Sequence, residues 1–267
     1  MIEGLRLAVS LLTILPVPGS VEVDRRRAGW AMTFAPLIGL VLGTVAALAV
    51  FGTRTCLGNP GNSPLPAIIG LAMLAVVTGG LHLDGLADLA DGFGARRDAA
   101  GTLDVMRQPT VGAFAVVAIL LVLAVQTWSL TLAISRHHGT VTLIVGVLAG
   151  RLAVTLACAV STRPARPEGL GALVVHTVPR WRAAAAVVLA LVVAVMAGRF
   201  DYHGGRLRES GHAALALLFG LLVAEGLRRL AVRKLGGLNG DVLGALVEIT
   251  TAATMLGMVL RVPRWLN

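Results

Sequence analysis

The sequence predicts an all-α protein that crosses a membrane several times. Hydrophobic residues occupy 56% of the 267 positions, charged residues only 14%, and the mean hydropathy is +0.83. Seven apolar runs approach the ~20 residues that a helix needs to cross a bilayer. We therefore expect a polytopic bundle of about seven transmembrane helices, with six to eight compatible, in one membrane-embedded domain over residues 1–267.

The predicted elements follow one another along the whole chain. Residues 1–18 begin with few basic residues and lack a small-residue cleavage site, so we expect an interfacial or partly inserted helix that ends at Pro16 and Pro18 and not a signal peptide. The spans are predicted at 36–51, 64–83, 111–134, 141–160, 183–198, 212–227 and 242–260. The first, fifth and sixth spans are short, so one of them could be re-entrant.

The distribution of basic residues predicts how the chain is oriented. The net charge of +9 is divided among the loops, which indicates topology and not nucleic-acid binding. With residues 1–35 in the cytoplasm, 15 of the 23 basic residues lie on that side and 7 on the other, and Arg151 lies inside a span. The segments 84–110, 161–182 and 228–241 then share the cytoplasmic face. Cys56 and Cys158 show no metal-ligand spacing and are expected to be packing residues.

Three carboxylates follow the second predicted span at helical spacing. Asp84, Asp88 and Asp91 stand at i, i+4 and i+7, so a helix would place them along one face. Like charges at this spacing repel one another, and a cation would relieve the repulsion. Magnesium uses one or two carboxylates and completes its octahedron with water and phosphate oxygens. The stack therefore predicts a magnesium site.

Basic residues follow these carboxylates before the next span begins. Arg96, Arg97, Asp104 and Arg107 all lie within the same loop. Arginine binds phosphate oxygens through two donors at once, while a metal held by carboxylates can bridge other phosphate oxygens. The loop therefore predicts a phosphate-binding site, and the alternative is an ordinary solvated loop whose arginines only mark topology.

A glycine-rich turn precedes the last span, in the sequence GGLNGDVLGALVE of residues 236–248. Its backbone N–H groups could face an anion. Asp241 could cap the following helix, join the metal shell or act as a base. Glu248 lies two turns further along, at membrane depth. Arg151 is also at membrane depth, and we expect the two to pair, either for function or as a structural ion pair.

His82 lies two residues before Asp84, so a continuous helix would point it away from the carboxylate face. Gly79 and Gly80 could break that helix and turn the ring inward. The alternative is a histidine at a helix end that bonds a backbone carbonyl.

Several motifs together resemble one known family. HLDGLADLADG (82–92), LDVMRQPTVGAF (103–114) and GGLNGDVLGALVE (236–248) are similar to the cobalamin synthase family, the adenosylcobinamide-GDP ribazoletransferases. LLTILPVP (11–18), TFAPLIGLVLG (33–43) and EGLG (168–171) extend the resemblance from the N-terminus to the last span.

The resemblance implies a magnesium-dependent catalytic domain in the bacterial inner membrane. In the implied reaction, α-ribazole or its 5′-phosphate attacks the phosphorus on the cobinamide side chain of adenosylcobinamide-GDP, and GMP leaves. The implied partners are corrinoid and nucleoside substrates and the lipid bilayer, without nucleic acid, and the choice between monomer and homo-oligomer stays open. Together with this resemblance, the motifs lead us to expect catalytic roles for Asp84, Asp88, Asp91 and Asp241. We expect substrate-binding roles for His82, Arg96, Asp104, Arg107, Arg151, Asn239 and Glu248.

Two other classes of protein share part of this pattern. The stretch from Asp88 to Arg96 matches the opening of the CDP-alcohol phosphotransferase motif, but Gly101, Asp104 and Gln108 do not continue it at the required spacing. A cation transporter would also explain acidic residues at a membrane entry. It explains Arg107 and the glycine-rich turn before Asp241 less well.

Overall fold

The computed structural model of the chain describes residues 1–19, 23–59, 61–199 and 207–260, with the side chains of 207–210 left aside. The described residues contain helices and no β-strand, which confirms the all-α prediction. The helices are α1 (Ile2–Leu12), α2 (Arg25–Cys56), α3 (Leu65–Val77), α4 (Leu81–Gly94), α5 (Ala99–Val105), α6 (Ala113–Ser135), α7 (Gly139–Ala159), α8 (Leu170–Val174), α9 (Arg180–Arg199), α10 (Leu207–Leu235) and α11 (Gly240–Val259).

Five helices in the described part of the chain are long and apolar enough to cross a membrane, namely α2, α6, α7, α9 and α11. The bent pair of α3 and α4 raises the number to six if it counts as one span. The prediction of a multi-pass membrane protein is therefore confirmed, with five or six candidate spans in place of about seven. The difference is α10, which contains the predicted span 212–227 but is not among these helices.

The predicted span 64–83 is wrong as a single helix. α3 ends at Val77, and α4 leaves at 90° after a three-residue turn. Gly79 and Gly80 adopt φ values of +61° and +71° in this turn, a left-handed conformation that glycine adopts with little strain. The turn is the reason that α4 departs from the axis of α3 and packs against α6 and α11.

The centre of the bundle is α7, which is buried along nearly its whole length between α2 and α11. Glycines allow these helices to approach closely, as small residues commonly do in membrane bundles. A Cβ atom at Gly39 of α2 would lie 2.9 Å from the carbonyl oxygen of Val147. On the other side of α7, a Cβ atom at Gly150 would lie 2.7 Å from the carbonyl oxygen of Val247 in α11.

The N-terminal segment is a short helix followed by an extended stretch. α1 ends at Leu12 and not at the predicted Pro16, because Thr13 is extended and its hydroxyl donates to the carbonyl of Val9. The amide of Ile14 then donates to the carbonyl of Val77 at 2.8 Å. The segment after α1 is thus attached to the C-terminal end of α3, beside the bend.

Three connecting segments, residues 95–112, 160–179 and 236–239, meet at one end of the bundle, which we call the site end. The amide of Ala165 donates to the carbonyl of Leu238 at 2.9 Å, and the amide of Leu238 donates to the carbonyl of Arg163 at 3.1 Å. Arg166 donates to the carbonyl of Leu103. The three segments predicted to share a face are therefore adjacent. Of the basic residues predicted for the opposite face, Arg206, Arg261, Arg264 and the side chain of Arg208 lie outside the described residues.

Candidate active site

The site begins where α4 crosses α11 with their backbones in contact. A Cβ atom at Gly85 would lie 2.8 Å from the carbonyl oxygen of Asp241, and one at Gly244 would lie 3.3 Å from the carbonyl oxygen of His82. Only glycine fits such a crossing without displacing a helix. The crossing places Asp241 next to the carboxylates of α4.

Asp84, Asp88 and Asp241 form a cluster of negative charge contributed by two helices. Asp84 is exposed, whereas Asp88 and Asp241 are half-buried. The charges of Asp241, Asp84 and Asp91 all act on the carboxylate of Asp88, and the opposing positive charge is that of Arg166. The sequence placed Asp84 and Asp88 on one helical face, and the structure adds Asp241 from across the bundle.

Arg166 is a residue that sequence reasoning did not select. Burial and the charge of Arg107 lower the pKa of the Arg166 guanidinium. The charges of Asp241, Asp104 and Asp88 oppose this shift. The segment STRPARPEGLG (161–171) contains two arginines, and nothing in the local sequence distinguishes Arg166 from Arg163. Arg166 lies near the carboxylates because the preceding residue, Ala165, is bonded to Leu238, three residues before Asp241, and this non-local pairing was not apparent in the sequence.

The residue that caps α11 is Asn239 and not Asp241. The Asn239 side-chain oxygen accepts a hydrogen bond from the amide of Val242 at 3.0 Å, and its side-chain nitrogen donates to Asp241 Oδ2 at 2.8 Å. The proposed capping role of Asp241 is therefore incorrect. Asn239 is 6% exposed, and its contacts show that it orients the Asp241 carboxylate.

Asp91 uses its carboxylate to hold the start of α6. Its Oδ2 accepts from the amide of Gly112 at 2.6 Å, and its Oδ1 accepts from the amide of Ala115 at 2.9 Å. Both amides are among those that lack partners at a helix start. Metal binding by Asp91, expected beside Asp84 and Asp88, would compete with these hydrogen bonds, because each oxygen of its carboxylate already accepts one.

The remaining charged residues of the acidic loop differ in their positions. Asp104 and Arg107 are exposed and lie close enough to Arg166 to act on its charge. Arg96 and Arg97 are exposed too, and in the described part of the chain neither side chain forms a hydrogen bond or ion pair. The structure thus places Asp104 and Arg107 near Arg166, which itself lies near the carboxylates.

The donor set suits a magnesium ion shared with a phosphate better than a closed protein site. Among the described residues, no three His, Cys, Asp or Glu side chains converge as a group that could hold a metal ion. Magnesium needs only one or two protein carboxylates when phosphate and water supply the other ligands. Asp88 on α4 and Asp241 on α11 meet that requirement as a pair, with Asp84 beside them.

His82 lies below the carboxylates in a buried position. It is 3% exposed, and neither ring nitrogen has a hydrogen-bond partner among the described residues. The alternative of a helix-end histidine bonded to a carbonyl is therefore incorrect. His82 instead lies in the wall of a cavity of about 190 Å³ together with Asp84 and Asp241. The glycine turn before α4 gives His82 this position.

Arg151 and Glu248 are neighbours in the core, but they do not form the predicted ion pair. Glu248 Oε2 accepts a hydrogen bond from Gln126 Nε2 at 2.9 Å. Arg151 is 2% exposed, and its Nε has no partner among the described residues. All three side chains line a cavity of about 20 Å³, which has room for one water molecule. The sequence did not identify Gln126, because a single glutamine in an apolar run gives no indication of its partner.

Comparisons with known proteins agree with these motifs. Residues 4–259 match the family model described as cobalamin-5-phosphate synthase. The chain is 47% identical to the adenosylcobinamide-GDP ribazoletransferase of Frankia casuarinae, over 97% of this chain and 95% of that protein. Proteins of the same name from Stutzerimonas stutzeri and a Nocardioides species are each 36% identical, over 97% of this chain and 99% of each relative. No solved structure matches the chain. The chain therefore belongs to the cobalamin-5-phosphate synthase family, the enzyme family that its acidic and glycine-rich motifs predict.

Proposed function

We propose that this protein joins α-ribazole, or its 5′-phosphate, to adenosylcobinamide-GDP and releases GMP. A bond forms between a ribose hydroxyl oxygen and the phosphorus on the cobinamide side chain. The bond between that phosphorus and the oxygen it shares with GMP breaks, that oxygen leaves with GMP, and the hydroxyl proton passes to solvent water. The product is adenosylcobalamin or its 5′-phosphate. Relatives that carry the name of this activity are similar over nearly their entire length.

The observation that carries the proposal is the contact of α4 with α11 at Gly85, which brings the carboxylates of Asp88 and Asp241 together in the electrostatic field of Arg166. A pyrophosphate brings several negative charges, and its displacement by a hydroxyl adds charge to the departing phosphate. Arg166 offers a fork of donors for phosphate oxygens. The carboxylates alone would repel the substrate, and a divalent cation held by them would offset that repulsion.

Asp88 on α4 and Asp241 on α11 would hold this magnesium ion. When bound, it neutralises charge on the pyrophosphate and favours the departure of GMP. Asn239 keeps the Asp241 carboxylate directed into the site, and Asp91 fixes the start of α6 beside it. These contacts hold the site in place before substrate arrives, which lowers the cost of aligning the reacting groups. A strong base is unnecessary, because a loose phosphoryl-transfer transition state gains little from one.

We further propose that the protein lies in the bacterial inner membrane with the site end in the cytoplasm. The excess of basic residues in the loops of this end supports that orientation. Nucleotides and magnesium are abundant in the cytoplasm, so both would reach the site directly. The proposed partners are the corrinoid, the nucleoside and the bilayer, without nucleic acid.

The test is the release of GMP by purified protein in detergent. Adenosylcobinamide-GDP, α-ribazole and magnesium should together give GMP and a corrinoid with its nucleotide loop closed. Omission of the riboside should abolish GMP release. Release of CMP from a CDP-alcohol, or cation uptake into vesicles without any GMP release, would replace the proposal with one of the two other classes considered above.

A further inference from the structure

Two adjacent cavities meet at Asp84 near the start of α4. One measures about 600 Å³ and lies between the end of α1, the bend before α4 and the start of α6. The other measures about 190 Å³ and lies between α2, α4, α7 and α11. Leu11, Leu81 and Asp84 line both cavities. Molecules held in the two cavities would therefore approach each other beside one carboxylate of the site.

The smaller cavity has the size and chemistry to accept a flat aromatic base. A cavity of ~150 Å³ is large enough to bind benzene, so about 190 Å³ admits a heterocycle but not a corrin ring. Its walls are mainly apolar, with Met32, Val154 and Leu243 among them. The buried His82 adds a ring whose two nitrogens have no protein partner among the described residues. Both nitrogens are buried, so a ligand can bond to one of them only after the ring turns toward the cavity, and that bond would remove the cost of a buried polar group without a partner.

The larger cavity suits a bulkier and more amphiphilic molecule. About 600 Å³ lies within the ~300–1,000 Å³ range of sites for drug-sized ligands. Apolar residues such as Ile14, Leu83 and Val111 form most of its wall, while Ser10, Thr13 and Asp84 provide polar positions. Ile14 and Val111 are exposed, so a ring system larger than the cavity can extend past them along the apolar surface of the bundle.

We propose that the smaller cavity holds the aromatic base of the incoming riboside, and that the larger cavity holds the corrinoid side of the activated pyrophosphate. This assignment rests on the proposed function. It places the ribose hydroxyl and the phosphorus on either side of Asp84, where the new O–P bond forms and GMP departs. His82 binds the base through a ring nitrogen and fixes the direction in which the ribose points.

The first test changes the size of the smaller cavity. Leu170 and Gly240 both line it, and a Cβ atom at Gly240 would make only an ordinary contact, 3.4 Å from Leu170. Leu170→Ala widens the cavity, and Gly240→Ala narrows it without displacing a helix. The ratio of kcat/KM for a riboside with a large base to one with a small base should rise with Leu170→Ala and fall with Gly240→Ala. Each shift should be on the order of tenfold, the effect expected for one to several methylene groups.

The second test blocks the larger cavity. Ser10 is exposed at its edge, so Ser10→Trp fills space without burying a new group in the core. This variant should raise the KM for adenosylcobinamide-GDP on the order of tenfold while the KM for the riboside stays unchanged. Ile2→Trp is the matched control, because Ile2 is 76% exposed on the same helix and does not line the cavity.

Binding of the riboside alone, measured by equilibrium dialysis, gives a readout that does not depend on turnover. The wild-type protein should bind it, His82→Ala should weaken binding on the order of tenfold, and Ser10→Trp should leave binding unchanged. If the wild-type protein is active and neither Gly240→Ala nor Leu170→Ala alters the preference for the base, the assignment of the cavities is overturned. Absence of GMP release from the wild-type protein would instead refute the proposed function.

Discussion

Asp91 belongs to a sequence pattern that predicts metal binding, but in the structure its carboxylate caps a helix. It continues the helical spacing of Asp84 and Asp88, but both of its oxygens accept backbone hydrogen bonds from the first turn of α6. Those bonds depend on a segment more than twenty residues away, so the local spacing predicted the shared face and could not predict the cap. Asn239 is a second case, since it caps α11 and orients Asp241.

The cap predicts a specific phenotype for Asp91. Asp91→Ala should lower the free energy of unfolding by about 1–2 kcal/mol, the usual loss when a helix cap is removed. Asp91→Asn should lower it less, because one acceptor oxygen remains. Thermal unfolding in detergent measures this loss, and the magnesium concentration for half-maximal GMP release should stay at the wild-type value. A large rise in that concentration with unchanged stability would assign Asp91 to the metal.

The buried cluster of Arg151, Glu248 and Gln126 gives a prediction about coupling. A double-mutant cycle between Gln126→Ala and Glu248→Ala should give a coupling energy of about 1–3 kcal/mol, as for a hydrogen bond to a charged group. The cycle between Arg151→Ala and Glu248→Ala should give a smaller value, because those side chains do not touch. Urea or thermal unfolding in detergent supplies the four stabilities of each cycle. A larger coupling energy between Arg151 and Glu248 than between Gln126 and Glu248 would support a direct ion pair instead.

At the scale of elements, the crossing of α4 and α11 determines whether the site exists. The sequence predicted most helices well, because most continuous apolar runs each form one helix. It failed between residues 64 and 83, where hydropathy is continuous and only Gly79 and Gly80 mark the bend. Arg166 was missed for a related reason, since its position depends on pairing between two loops that are distant in the chain.

Gly85→Ala tests this crossing. The added methyl would lie 2.8 Å from the carbonyl oxygen of Asp241, so α4 and α11 must separate. GMP release should fall on the order of a hundredfold, as expected when reacting groups shift by about 1 Å. Gly226→Ala is the control, because Gly226 lies inside α10 with no atom within 4 Å of the added carbon. Equal activity in the two variants would show that the crossing does not position the site.

At the scale of the whole molecule, the site requires that segments distant in sequence share one side of the membrane. Cys56 is an exposed natural reporter at the opposite end of α2 from the site, while Cys158 is buried. In right-side-out vesicles, an impermeant maleimide should label Cys56. A cysteine at Glu168, in a variant without Cys56, should be labelled only after permeabilisation. Labelling of the Glu168 cysteine in intact vesicles would reverse the proposed orientation.

The central claim is that α4 and α11 hold one magnesium ion between them. The most direct measurement is the magnesium concentration for half-maximal GMP release in Asp88→Asn and Asp241→Asn, with Asp98→Asn as the control. Asp98 only caps α5, and asparagine caps equally well. In both site variants the magnesium concentration for half-maximal GMP release should rise at least on the order of tenfold, with folding retained. The control should match the wild-type protein. An unchanged magnesium requirement in folded Asp241→Asn would contradict a site shared by the two helices.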